Sequence, residues 1–535
     1  MTPTTPGAEE TQPSHATSGW RWLLGRRHPA KVRSRAKRDD SEVERSETTK
    51  FSHSLFGLLF VGGVVLRVIT FRAYQPALLY VDSLTYLKTS ATLDPTGARP
   101  IGYSAFLRPF VALGDLRLIP IVQHLFGLGL GAGIYVLLVR AGARRWIAAL
   151  AAAPVLLDGY QLQIEQNVLS ETLFQVMLFV GLVLLVDGAG RRRTFGRRLA
   201  TAAAAGLVLG LMVPVRLIGQ FLVLPAVVYL LAVGGRRLWQ RAVAAALFAV
   251  VFAVPVLGYM AYFESWSGKF SSTAIGGRML YGRVAVLVDC DRIEIPADQR
   301  DLCPVEPLGQ RLKIDNYVWN GRSPLNSHTP PAGLTHDGSL RRFAGLVIRQ
   351  QPRDVARAVL TDMGKNFWPT KAQFDGDVDV GRWQFQETYP RFGRYLDTLA
   401  AFDAEAQVDR PLARWLRSYQ LSVGYTPGTV LGLALLVGLA AGLGVGRARH
   451  SPLRSACLLW AAAGAMIVLL PAAYEFSWRY MLPGLVTLPV AGGLGLTALL
   501  DKTMTTTAPA SPAEQEVDVD DGIVMGQSSA APGGA

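Results

Sequence analysis

Charge is what this chain lacks first. Of its 535 residues only 18% are charged against 50% hydrophobic, and the apolar residues are not spread as they would be over several soluble domains. Cysteine is nearly absent: Cys290, Cys303 and Cys457 are the three. A metal site built on two cysteines needs further ligands, and the spacing supplies no recognisable set, so no metal is expected. The opening residues contain no signal-peptide pattern; they are Pro/Ser/Thr-rich and then basic ("RRHPAKVRSRAKR"), which reads as a disordered arm. The Gly-rich "STAIGGRMLYGR" lacks the Lys-Ser/Thr ending and clear flanking strand of a phosphate-binding loop.

What is present is hydrophobic length. Blocks such as "LIPIVQHLFGLGLGAGIYVLLV" and "AVAAALFAVVFAVPVLGYMAYF" are long enough to cross a bilayer as helices. The fold class expected is an all-α polytopic membrane protein with about ten transmembrane helices. They fall near 53–70, 118–139, 146–158, 171–187, 199–213, 217–233, 242–262, 427–446, 455–473 and 480–500. The formal net charge of +14 does not signal nucleic acid, because the arginines cluster in short connectors. Arg140, Arg144 and Arg145 form one set; Arg191, Arg192, Arg193, Arg197 and Arg198 another; then Arg236, Arg237 and Arg241; then Arg447, Arg449 and Arg454. With the N-terminus inside, every set is cytoplasmic and faces anionic membrane lipids, as the positive-inside rule requires.

The organisation that follows is a basic cytoplasmic arm (1–50), an N-terminal transmembrane module (51–262) with a first external loop (71–117), an extracytoplasmic domain (263–426), C-terminal transmembrane helices (427–500) and a disordered cytoplasmic tail (501–535). The inserted domain is expected to be mixed and mainly helical. Phe343, Val347, Val355 and Val359 recur at helical spacing, and Leu412, Trp415, Leu416 and Tyr419 share a face suited to an interfacial helix. Cys290 and Cys303 fall in the oxidising compartment, where a disulfide between them is favoured. Cys457 reads as a small buried apolar residue. His328 and His336 sit in turn-like sequence and read as surface loop.

Candidate chemistry lies at the outer ends of the helices. Asp82, in "LLYVDSLTYLKTS", has apolar neighbours and no basic residue nearby in sequence until Lys88. Desolvation should raise its pKa and suit it to take a proton from a hydroxyl; alternatively it caps a short helix. The turn "DGYQLQIEQNVLSETLF" carries Asp158, Glu165 and Glu171 with no Lys or Arg. It follows a run shortened by Pro154, and interrupted helices line cavities. Glu171 also fits ordinary capping after Ser170. Arg216 and Arg479 lie on outward turns against the positive-inside preference, and a guanidinium fork suits phosphate oxygens. The alternatives are snorkelling or, for Arg479, pairing with an acid such as Glu475. For Arg67, snorkelling is the expectation.

A first membrane helix, an outer loop with Asp82 close behind it, the Arg-Pro-x-Gly-Tyr of "ARPIGYSAFLRPFVALG", then "LSETLF", an Arg ending the fifth segment and "RYMLP" opening the last resemble the GT-C polyprenyl-phosphate-dependent membrane glycosyltransferases. Protein mannosyltransferases, aminoarabinose transferases and arabinofuranosyltransferases belong there. The resemblance covers 53–275 and, more loosely, 427–500. It implies a polyprenyl-phosphate-linked sugar donor and an extracytoplasmic site. It also implies Asp82 as general base and Arg216 and Arg479 on the donor phosphate. Glu165 and Glu171, with Tyr86 and Tyr103, would position acceptor or sugar. In some members a divalent cation sits near the positions of Asp82 and Glu171; otherwise no cofactor is expected. Asp82-Ser83 replaces the Asp-Glu of the protein mannosyltransferases, which points away from a protein and toward an envelope glycan or lipid acceptor. Arg-, Ala- and Gly-rich composition is compatible with a bacterial plasma membrane and with arabinose or mannose. A transporter or lipid flippase is the alternative, but no internal repeat of two halves is visible.

Overall fold

The structure, a computed structural model, describes residues 53–188, 193–390 and 395–500. The arm expected at 1–50, the tail at 501–535, and Arg191 and Arg192 lie outside the described residues. The N-terminal module begins with α1 (Ser54–Ala73), α2 (Val81–Thr92) and α3 (Gly102–Ala112). It continues through α4 (Leu118–Arg140), α5 (Arg145–Leu157), α6 (Gly159–Gln166), α7 (Glu171–Gly188), α8 (Phe195–Met212), α9 (Val223–Val233) and α10 (Leu238–Ser267). The inserted segment holds α11 (Gly276–Ala285), α12 (Ile314–Trp319), α13 (His336–Gln350), α14 (Pro352–Lys365) and α15 (Arg410–Ser422). Three helices close the chain: α16 (Gly428–Leu443), α17 (Arg454–Ala472) and α18 (Gly484–Leu500).

This is an all-α polytopic membrane protein. Among the described residues, six helices (α1, α4, α7, α8, α10 and α17) are long and apolar enough to span, and the pair α5–α6, bent by 47°, is a seventh if the two are taken as one broken span. The remaining expected segments are the shorter apolar helices at Leu217–Val233, Gly428–Leu443 and Gly484–Leu500. Glycines let helices approach closely. A Cβ on Gly206 would sit 2.6 Å from the Phe248 carbonyl oxygen, so α8 and α10 meet backbone to backbone, as small residues permit in lipid. Gly438 and Gly492 do the same between α16 and α18.

The α5–α6 break has a local cause. Asp158 leaves α5 in extended conformation, caps α6 by accepting from the Tyr160 and Gln161 amides (2.9 and 3.2 Å), and accepts from the Thr426 amide at 2.7 Å. Every residue of α6 is buried, so most of the stretch expected as an outer turn at 159–170 is a helix, Gly159–Gln166, packed inside the protein. Its one acid, Glu165, is met by Arg67 and His124 from elsewhere in the chain.

The inserted segment is not uniform. Tyr281, Val284, Leu302, Tyr317, Leu340, Phe343 and Val347 share a small core of their own, beside the bonded Cys290–Cys303 pair. Trp383, Phe385, Tyr389 and Leu416 instead pack into the main core, and Gln407–Val408 pairs antiparallel with Tyr74–Gln75 at the end of α1. On α15 the buried face is Ala413, Leu416 and Gln420, whereas Trp415 is exposed.

Candidate active site

The loop entering α2 is stitched to the end of α6 and the connector that leads to α7. The Leu78 amide donates to Gln166 O (2.9 Å) and the Val168 amide to Leu78 O (3.0 Å). Ser83 Oγ accepts from the Tyr80 amide at 2.9 Å and donates to Val168 O at 2.8 Å. Ser83 therefore caps α2, and the Asp82 side chain is free to turn into a cavity.

That cavity, about 300 Å³, is walled by Asp82 and Tyr86 of α2, by Arg99, by Arg216 after α8, by Thr273 after α10, and by Glu475, Arg479 and Tyr480 between α17 and α18. Asp82 Oδ1 accepts from Arg99 Nε and Nη2 (2.9 and 2.5 Å), and Oδ2 accepts from Arg479 Nη1 at 2.7 Å. Arg479 Nε donates to Glu171 Oε1, to which Arg216 Nη1 also donates. Guanidinium and carboxylate thus alternate from Arg99 through Asp82, Arg479 and Glu171 to Arg216. Three cations face two anions, leaving one positive charge in excess. Aromatic faces hold the cations: Arg479 lies over Trp383 and Tyr80 (5.3 and 5.6 Å to the ring centres), Arg216 over Tyr480 (5.7 Å) and Arg99 over Trp319 (5.9 Å).

Several expectations need correction. Burial alone would push the Asp82 carboxyl up, but Arg99 and Arg479, by charge and hydrogen bond, outweigh it and hold the group well below the usual carboxylate range. Glu171 is fully buried behind the arginines and does not line the cavity; it anchors Arg216 and Arg479. Glu165 is nowhere near the cavity mouth. It is bound by Arg67 (2.8 Å), His124 (2.9 Å) and Gln161 (3.1 Å), and the buried Arg67, far from snorkelling, also donates to Leu156 O and Val155 O. Tyr103 is fully buried with its hydroxyl on Gln123 Oε1 at 2.8 Å, whereas Tyr86 lines the cavity. Arg479 pairs with Asp82 and Glu171, not Glu475. His328, expected on the surface, is buried between Asp301 and Ser339.

The sequence reading did not single out Arg99 as a site residue. Its signal was available: an arginine on the outward side of the expected topology, as for Arg216 and Arg479. Guanidiniums hold both Asp82 oxygens and Glu171 Oε1, and the one buried oxygen of these carboxyls left without a hydrogen-bond partner among the described residues, Glu171 Oε2, is too small a ligand set for a divalent cation. Among the described residues, no three His, Cys, Asp or Glu side chains cluster as metal ligands. A groove of about 480 Å³ in the inserted segment, lined by Asp289, Arg292, Asp354 and Arg357, is separate from this site.

The fold and site define a polytopic membrane protein whose helix ends converge on one cation-rich cavity. Residues 110–266 match the family model of dolichyl-phosphate-mannose-protein mannosyltransferases. That stretch lies inside 53–275, where the motif order resembles the GT-C glycosyltransferases, and the resemblance is borne out there. No protein of curated function matches the chain in sequence. Among solved structures, the archaeal oligosaccharyltransferase AglB from Archaeoglobus fulgidus, in complex with an inhibitory peptide and a dolichol-phosphate, aligns with 84% of this chain at 13% identity and a TM-score of 0.40. This chain spans 50% of that one. ArnT from Cupriavidus metallidurans, apo and bound to undecaprenyl phosphate, aligns with 83% of this chain and 77% of its own at 16% identity, with TM-scores of 0.33 and 0.32. At these TM-scores no residue is transferred from either.

Proposed function

We propose that this chain is an integral membrane glycosyltransferase. It moves a hexose or pentose from a polyprenyl-phosphate donor to an envelope glycan or lipid acceptor on the extracytoplasmic side. The observation that carries the reading is the alternating run from Arg99 to Arg216, whose excess positive charge lines a cavity at helix ends. An anionic headgroup whose tail remains in the bilayer is the ligand such a wall attracts. The family match over 110–266 supports a dolichyl-phosphate type of donor.

In the reaction, the acceptor hydroxyl oxygen bonds to the anomeric carbon from the face opposite the phosphate, and its proton passes to Asp82. The bond from that carbon to the phosphate oxygen breaks, its electron pair leaving on the polyprenyl phosphate beside Arg216 and Arg479. This is single-displacement, inverting chemistry. Asp82 is a poor base while two guanidiniums hold it. A donor phosphate would draw Arg479 off Oδ2, so the base gains strength as the donor binds. Preorganised guanidiniums on the leaving group would supply a large share of the rate.

The test is transfer of labelled sugar from defined polyprenyl-phosphate donors by membranes containing the wild type or Asp82→Asn. A loss of about 10²–10⁴-fold in kcat is expected for the variant. Full activity of Asp82→Asn would refute the assignment of the base. Unchanged envelope glycans after deletion of the protein would refute the transfer itself.

A further inference from the structure

The cavity has a second acidic wall that the reaction above does not use. Glu475, in the turn between α17 and α18, is 6% exposed and faces the same space as Arg216 and Arg479. Unlike Asp82, it forms no ion pair among the described residues, because the guanidiniums around it are committed. Arg479 binds Asp82 and Glu171, Arg382 binds Asp315 at 3.1 Å, and Arg283 binds Asp362 (2.5 Å) and Ala472 O (2.7 Å). What lies within hydrogen-bonding reach of Glu475 is another carboxyl, Asp315 of α12 in the inserted segment. Of two adjoining carboxyls, Glu475, buried and without an ion pair among the described residues, is the one held neutral, because the Asp315 side chain is 23% exposed and carries the Arg382 pair.

We infer that Glu475 is a neutral carboxylic acid, kept so by Asp315, and that its neutrality lets a lipid phosphate enter beside Arg216 and Arg479. Glu475 is a positioning residue, and the inserted segment thereby sets the pH range over which the cavity accepts an anion. An ionised Glu475 would cancel the one positive charge in excess on the arginine run. The groups facing Glu475 are Asp315 and Arg382 from the inserted segment, Arg283 from α11, and Tyr480 on its own turn. Burial and Asp315 push the Glu475 carboxyl well above the usual range, with Arg283 and Arg382 offsetting only part. This inference rests on the donor reading above.

The experiment measures binding of undecaprenyl phosphate to the full chain in nanodiscs from neutral to alkaline pH, for wild type, Glu475→Gln and Asp315→Asn. The wild type should lose about tenfold or more in affinity as Glu475 ionises. Glu475→Gln should match it at neutral pH and keep its affinity in alkali. Asp315→Asn should lose affinity at lower pH than the wild type, because its Glu475 gives up the proton sooner; this arm decides the matter if Glu475→Gln does not fold. Difference infrared spectra should show a protonated-carboxyl stretch at neutral pH that Glu475→Gln lacks. Absence of that band, a Glu475→Gln curve that follows the wild type, or tenfold weaker binding by Glu475→Gln at neutral pH would overturn the inference. If no form binds undecaprenyl phosphate while the band is present, the donor reading fails, and the proposed role of the neutral wall fails with it.

Discussion

Asp82 is held between two guanidiniums, Arg99 and Arg479, and what it can do depends on which of them is engaged. In the donor-free protein its carboxyl is depressed, so it remains ionised as pH falls through the ordinary aspartate range. A donor phosphate on Arg479, as proposed, would leave only Arg99 on Asp82, and the carboxyl would rise. The acid limb of kcat/KM, which reports the free enzyme, should therefore lie below about pH 4, and the acid limb of kcat, which reports the complex, should lie above it. A pH–rate profile with the two limbs in the reverse order would show that Arg479 does not leave Asp82. At this scale Asp82, Arg216 and Arg479 were legible because each sits where its charge is out of place. The partners were not, since Arg99 lies 17 residues from Asp82 and Arg479 lies 397. Local sequence showed an isolated acid and suggested a raised pKa. The fold supplied the cations that reverse it. Glu165, Glu171 and Tyr103 were misplaced for a related reason: local polarity does not say which polar side chain ends in the core.

At the scale of elements, the Arg-Pro-x-Gly-Tyr stretch has a mechanical account. The Gly102 amide donates to Pro214 O at 2.7 Å, and a Cβ there would come within 2.6 Å of Pro214 backbone atoms. Tyr103 bonds Gln123, which in turn donates to Glu165 O and Asn167 O. The start of α3 thus buttresses the Pro214–Arg216 turn. Gly102→Ala should push that turn and raise KM for the lipid donor by about tenfold, with kcat less affected, as a group acting on binding would do. An unchanged KM would show that the turn does not depend on this contact. The break between α5 and α6 was legible in Pro154 and the shortness of the run. The burial of α6 was not, because its "GYQLQIEQ" is polar, and polar residues enter a membrane protein's interior only when distant partners such as Arg67 and His124 meet them.

Across the whole molecule, hydropathy placed all the membrane helices to within a few residues, since twenty apolar residues in a row have few other uses. Among the described residues α18, 17 residues long and almost wholly buried among its neighbours, is one of the shorter apolar helices. The inserted segment was the least legible, because its later part joins the main core through Trp383 and Phe385 while its earlier part keeps a core of its own. The Cys290–Cys303 bond closes a short loop, with a sequence separation of 13, in that earlier part. Cys290→Ser should lower its stability by about 2–4 kcal/mol, read as earlier proteolysis within 276–350, while the membrane helices stay intact. Equal proteolysis of wild type and variant would mean that the loop is held by packing alone.

The central claim is that a lipid phosphate belongs between Arg216 and Arg479, and an experimental density map of the full chain in nanodiscs with undecaprenyl phosphate tests it most directly. The account predicts phosphate density bridging the two guanidiniums, with Arg479 drawn away from Asp82. Phosphate density elsewhere, with both arginines still on Glu171 and Arg479 still on Asp82, would contradict it.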